Sequence, residues 1–175
     1  LAWVSSLNTA NHLGVTGWRL PGHLDTGAAG CNFAYTGTDC GYNVQTKVGS
    51  TVYSEMAHLF YVTLGNVGYY NTGGSLMACS GSSPNYCLTN DGPFSNLQPY
   101  IYWTKNENAG EPFSAWSVHF GAGSQASYLK SSTVYAWAVR NGDIALAAVP
   151  VPAAAWLFGS TLGVLGWVRR RTGVT

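Results

Sequence analysis

The stretch Ala115-Trp116-Ser117-Val118-His119-Phe120 decides the fold class. Its large apolar residues recur at every second position, so an extended chain puts Trp116, Val118 and Phe120 on one side and Ser117 and His119 on the other. That alternation predicts a half-buried antiparallel strand, apolar toward a core and polar toward water. Two further segments alternate with the same period, Tyr100-Ile101-Tyr102-Trp103 and Tyr135-Ala136-Trp137-Ala138-Val139-Arg140, with turns rich in Gly, Asn and Ser between them. Trp18, Trp103, Trp116 and Trp137 sit in such motif segments and are expected in the core. Arg19 and Arg140 are expected to hold buried acids or carbonyls through charge-assisted hydrogen bonds.

Upstream of these strands the apolar period changes to that of a helix. Leu1–Leu13 sets Trp3, Leu7, Ala10 and Leu13 on one face, and Gly14 suits the stop. Ser54 is placed to cap a second helix, with Met56, Leu59, Phe60 and Leu64 inward and Gly65 at its end. Glu55 falls in its first turn, where a negative charge suits the helix dipole. Helices first, antiparallel strands later and long loops between them predict an α+β domain over residues 1–143.

Composition limits what such a domain does. Of 175 residues only 9% are charged, while 46% are hydrophobic and 14% aromatic, so the chain can build a core and is not disordered. The net charge of +1 conceals an asymmetry, because three of the eight basic residues are Arg169, Arg170 and Arg171. Residues 1–143 carry five basic side chains against all seven acids, a weakly acidic body that argues against a nucleic-acid partner.

The tail has an address of its own. From Ile144 to Val168 there are 25 consecutive residues without a charge, and 153–168 is apolar apart from Ser160 and Thr161. A helix over those sixteen residues 153–168, at about 1.5 Å per residue, falls slightly short of the hydrocarbon core, so a membrane segment is expected that spans with bilayer thinning or with the preceding apolar residues. Residues 144–152 form a proline-containing linker before it, and 169–175 a basic tail on the cytoplasmic side, which puts 1–143 outside the cytoplasm. Cys31, Cys40, Cys79 and Cys87 point the same way. Their spacings make Cys31–Cys40 and Cys79–Cys87 the easiest closures of three possible connectivities, and they match metal-ligand spacing poorly. Disulfides require an oxidising compartment. The chain opens inside an amphipathic helix with no starting Met and no signal sequence, so a trimmed form with an export signal upstream is expected.

Two resemblances follow from these residues. Val149, Pro150, Val151, Pro152, Ala153 and Ala154, then the apolar segment, then Arg169, Arg170 and Arg171 closely resemble the PEP-CTERM sorting signal in its Val-Pro-x-Pro-Ala-Ala form. That resemblance implies a Gram-negative bacterium, processing by an exosortase as partner, and residence at the cell surface or in the extracellular matrix with exopolysaccharide. The segments 2–7, Gly17-Trp-Arg-Leu-Pro21, Ser54–Phe60, Tyr100–Trp103, Ala115–Phe120 and Tyr135–Arg140 together resemble the Lcl C-terminal domain family. The family implies a C-type-lectin-like fold with long loops, preceded by a further N-terminal strand, and its best-known relatives are adhesins that bind sulfated polysaccharide. The acidic body does not supply the basic patch that a polyanion needs.

No catalytic constellation is legible. His12, His23, His58 and His119 show no metal spacing, and neither a nucleophile elbow nor a phosphate-binding loop occurs. No cofactor is expected. Calcium is the alternative, since Asn90-Asp91 and Asn106-Glu107-Asn108 are oxygen-rich, but the calcium motifs of true C-type lectins are absent. The remaining candidates are aromatic and amide side chains in segments 66–75 and 104–114: Tyr69, Tyr70, Asn71, Asn106, Glu107 and Asn108, placed for glycan contacts. A non-enzymatic, exopolysaccharide-associated or adhesive surface protein is expected. A self-assembling homo-oligomer or an anchored accessory subunit is the alternative.

Overall fold

The computed structural model describes residues 2–25, 31, 33–44, 46–48 and 51–141. In chain order the strands are β1 (Gly41–Tyr42), β2 (Lys47–Val48), β3 (Thr51–Val52), β4 (Ile101–Glu107), β5 (Ser114–His119), β6 (Ser124–Leu129) and β7 (Tyr135–Ala136). The α-helices are α1 (Ala2–Thr9) and α2 (Glu55–His58). Leu1–Asn141 makes one compact α+β unit. The linker 144–152, the apolar segment 153–168 and the basic tail lie outside the described residues. Among the described residues no helix is long and apolar enough to cross a membrane.

The main sheet has the order β1-β6-β5-β4-β7, and a two-stranded antiparallel ladder joins β2 to β3. Neighbours in the main sheet run antiparallel except β4 and β7, which pair in parallel through Tyr102–Tyr135 and Trp103–Ala136. The expectation of purely antiparallel strands is therefore corrected at this edge. The reason is topological: β6 runs parallel to β4, and the five residues 130–134 return the chain past β5 to the far side of β4, so β7 repeats its direction. Beyond β7, Val139 forms an isolated bridge with Arg19, and Lys105 donates its N–H to the Pro21 carbonyl.

The core lies on one face of this sheet. Tyr102, Val118 and Phe120 meet Met56, Phe60 and Leu64, with Cys87 and Leu88 closing the cluster. Each large side chain buried in this way stabilises the fold by about 1.5–3 kcal/mol. The second helix starts as its sequence dictates, since the Ser54 hydroxyl accepts the Ala57 N–H at 3.1 Å and donates to Gln125 Oε1 at 2.8 Å. After His58 the helix widens into a π turn over Leu59–Thr63, in which the Leu64 N–H reaches the Leu59 carbonyl. Gly65, at φ +68°, ends it. β6 has no apolar alternation, because its core-facing residue opposite Val118 is Gln125, fully buried and satisfied by Ser54 and the Asp39 carbonyl.

Three further expectations need correction. Ser117 does not face water: it stands between Trp103 and Ala126 and is buried, its hydroxyl bonded to the Ala126 carbonyl. The central strand is thus buried at Ser117 on the side away from the core as well. The first helix ends at Thr9, and Asn11 and Leu13 adopt positive φ, so Leu13 turns off the apolar stripe to 63% exposure and no residue of α1 is buried. Of the four tryptophans expected in the core, only Trp116 is fully buried, while Trp18, Trp103 and Trp137 are half-buried.

Two disulfides tie the loops, Cys31–Cys40 and Cys79–Cys87. The tight turn from β5 to β6 anchors the second of these loops. His119 Nδ1 accepts the N–H groups of Gly121 and Ala122 at 3.0 and 3.1 Å, and the turn's carbonyls receive Cys87 N–H, Tyr69 N–H and the Tyr61 hydroxyl.

Candidate functional site

The sheet face opposite the core carries the most suggestive concavity. Tyr102 and Thr104 of β4 are buried toward the core, while Trp103 and Lys105 emerge on the other side, and beyond a shift in register between Trp103 and Glu107 the strand ends at Asn106 and Glu107. There they meet Trp18, which follows α1, and Lys130, which follows β6, around a groove of about 510 Å3 with Ala115 in its wall. A volume of this order suits a small molecule or part of a chain.

Each wall is held by identifiable bonds. Asn8 brackets the Trp18 backbone, accepting its N–H at 2.8 Å and donating to its carbonyl at 2.9 Å. The indole N–H reaches the His12 carbonyl at 3.3 Å, and the His12 ring packs 5.9 Å from the indole. Next to it, the Arg19 guanidinium grips Glu55 with two bonds of 2.6 and 2.8 Å and also reaches the Leu20 carbonyl and Asn141. The Arg19 fork, helped by the Gly22 N–H, holds the Glu55 carboxyl below its ordinary value against the opposing effect of burial. Glu55 is therefore an anchor between two segments and not only a favourable charge in a first turn, which corrects the expectation from the helix dipole. Lys130 pairs with Glu107 at 2.9 Å and donates to the Pro112 carbonyl. Asn106 Oδ1 accepts the His23 N–H at 3.2 Å, which leaves its amide N–H groups for other partners.

The sequence-predicted glycan contacts do not form one site. Tyr69 N–H bonds Ala122 at the β5–β6 turn, whereas Asn108 N–H bonds Ser114 at the other end of β5, so the two segments stand at opposite ends of the sheet. Residues 104–107 belong to a strand, not a loop, and extend β4 to Glu107 across a shift in register against β5. Tyr70 packs against Tyr42 and Tyr35 at 4.9 and 5.1 Å, and Asn71 Oδ1 accepts the N–H groups of Gly73 and Ser75 to shape its own turn. Asn108 is buried, with its Oδ1 on the Gly110 N–H. Only Asn106 and Glu107 reach the groove.

No family model, curated protein or solved structure matches the chain. The groove's chemistry is read from its own residues.

That chemistry has two half-buried indoles, exposed ammonium and carboxylate groups and the amide edge of Asn106. Among the described residues no group of three or more His, Cys, Asp or Glu side chains is placed to hold a metal ion. Asn90 is committed elsewhere, its Nδ2 on the Leu64 carbonyl at 2.7 Å and its Oδ1 on the Gly92 N–H, so the oxygen-rich Asn90-Asp91 pair serves a turn. His23 lies outside this groove, buried edge-on against Trp116, and burial pushes its pKa down to about 4 even though Asp25 and Asp39 oppose the shift. The signal that would have found the groove was present in the phase of β4, since Trp103 is out of step with Tyr102. Its other walls, Trp18 and Lys130, are 85 and 27 positions from Trp103 and become neighbours only through the fold.

Proposed function

We propose that this chain is an exported bacterial surface or matrix protein whose non-enzymatic, C-type-lectin-like body binds a glycan in the Trp18–Trp103 groove. The observation that carries the reading is the groove itself: indole faces suit the apolar face of a pyranose, while Lys105, Asn106, Glu107 and Lys130 offer donors and acceptors to its hydroxyls. Two disulfides fit an oxidising, extracytoplasmic setting. The resemblance of 149–171 to a PEP-CTERM signal supports sorting by an exosortase, and that of the body to the Lcl C-terminal domain family supports adhesion or exopolysaccharide association.

Exopolysaccharide from the producing cells, titrated into the folded protein, is expected to bind saturably and to perturb tryptophan fluorescence. Trp103→Ala is expected to abolish that binding while the protein stays folded. Binding no stronger than that of a reduced, denatured control removes the reading. Sorting is tested by the intact mass of the native protein from envelope and medium, where loss of the residues after about 149–152 is expected.

Self-assembly is favoured by one observation. Phe113 is 81% exposed and lies with exposed Leu129 at the open end of the β5–β6 pair. A monomer at high protein concentration, unchanged by Phe113→Ser, removes that second reading.

A further inference from the structure

A second depression adjoins the groove. It has a volume of about 450 Å3, runs from Gly22 and His23 to Tyr53, and shares Arg19 and Lys105 with the first. Lys105 marks the junction. Its side chain crosses the backbone at Gly22, where a Cβ would stand 3.0 Å from Lys105 Cε and 3.4 Å from Nζ. A side chain at Gly22 would crowd the end of the Lys105 side chain in this position.

The two cations at this junction are not equivalent. Arg19 has its fork committed to Glu55, the Leu20 carbonyl and Asn141, so it is a fixed wall. Lys105 is exposed and belongs to neither ion pair found among the described residues, Arg19–Glu55 and Lys130–Glu107. Its charge helps to hold the Glu55 carboxyl low, but it is not locked into a fork as Arg19 is, so its N–H donors can turn to a ligand that passes from one depression to the other. The aromatic rings flank this point, Trp18 and Trp103 on one side and Tyr53 on the other.

We propose that the two depressions act as one trough for an internal segment of a glycan chain, several sugars long, with Lys105 as the specificity-determining residue at the crossing. The proposal rests on the glycan reading above and deepens it by naming the part of the polymer that binds. A site for a chain end needs a wall that stops the chain. Here both depressions are open, and the side chain between them is a flexible donor over a glycine. Lys105 donates to oxygens of the sugar that spans the junction, and the rings on either side take the sugars before and after it.

The test uses size-graded oligosaccharides cut from the producing cells' exopolysaccharide by partial hydrolysis, titrated into the whole chain. Six-sugar fragments are expected to bind at least about tenfold tighter than two-sugar fragments. In Lys105→Ala that length-dependent gain is expected to fall below about threefold with the unfolding midpoint unchanged, while Lys105→Arg keeps most of it. Equal affinity for both sizes, or a gain untouched in Lys105→Ala, overturns the trough and leaves the glycan reading standing. No binding of either the fragments or the intact polymer overturns both.

Discussion

The two faces of β4 are built from alternate residues of one segment and have opposite physical character. On the inner face Tyr102 packs on Phe120 at 5.3 Å with its hydroxyl accepting the Gln98 N–H, and Thr104 bonds the Trp116 carbonyl at 3.0 Å, so both are buried with their hydroxyls partnered. On the outer face Trp103 is half-buried, Lys105 is exposed, and the Glu107–Lys130 ion pair has its carboxylate side chain 74% in solvent. The inner face stabilises the fold through burial and packing, whereas the outer pair contributes no more than about 1 kcal/mol and leaves its residues available. Burial and exposure are thus separated by a single peptide step, and substitutions on the two faces are expected to separate in the same way.

The largest effect is expected on the inner face. Phe120 is fully buried with its ring against Phe60 at 5.5 Å, and Phe120→Ala is expected to cost about 3–5 kcal/mol in urea unfolding. A loss below about 1 kcal/mol would break the comparison at its stronger side.

Acid tests the same face through His23. Its folded pKa of about 4 lies below the ordinary histidine value, so the unfolded chain takes up the proton first as pH falls. Its contribution is fully present above about pH 6.5 and is lost down to about pH 4, amounting to about 3 kcal/mol over that range. Unfolding measured across this window is expected to show that slope, and His23→Leu is expected to remove it.

The Cys79–Cys87 link closes a loop of sequence separation 8 beside the core, and replacing both cysteines by serine is expected to cost about 2.5 kcal/mol by the chain-entropy account. The same double substitution is expected to leave affinity in the Trp18–Trp103 groove within about twofold, since neither cysteine lines it. The smallest stability effect is expected on the outer face, where Trp103→Ala costs about 1 kcal/mol and abolishes binding of exopolysaccharide. A Trp103→Ala protein that unfolds as readily as Phe120→Ala would show that Trp103 belongs to the core after all.

Elements whose reasons are local were legible in the sequence. The Ser54 cap, the inward set Met56, Phe60 and Leu64, and the stop at Gly65 follow from short-range hydrogen bonding and helical period, and all appear where the pattern puts them. β6 was illegible because a buried Gln125 stands at its core position, and its satisfaction depends on Ser54 and Asp39, residues 71 and 86 positions away. The first helix was legible as a helix but not in its packing, since positive φ at Asn11 and Leu13 breaks the stripe. Of the candidate site, Asn106 and Glu107 were anticipated, whereas Tyr69, Tyr70, Asn71 and Asn108 serve turns and packing.

By itself the sequence determined the α+β class, the strand period around Trp116, the second helix with its cap, and the even set of cysteines in two short loops. These depend on interactions within a few positions of each residue. Only the tertiary structure decided that β7 pairs in parallel, that Ser117 is buried, and that Trp18, Trp103, Lys105 and Lys130 share one groove. Alternation assigns residues to two sides of a strand, but which side is covered depends on what the rest of the chain lays across it. In this protein that is settled by segments distant in sequence, the second helix with Met56 and Phe60 over one face and Trp18 beside the other.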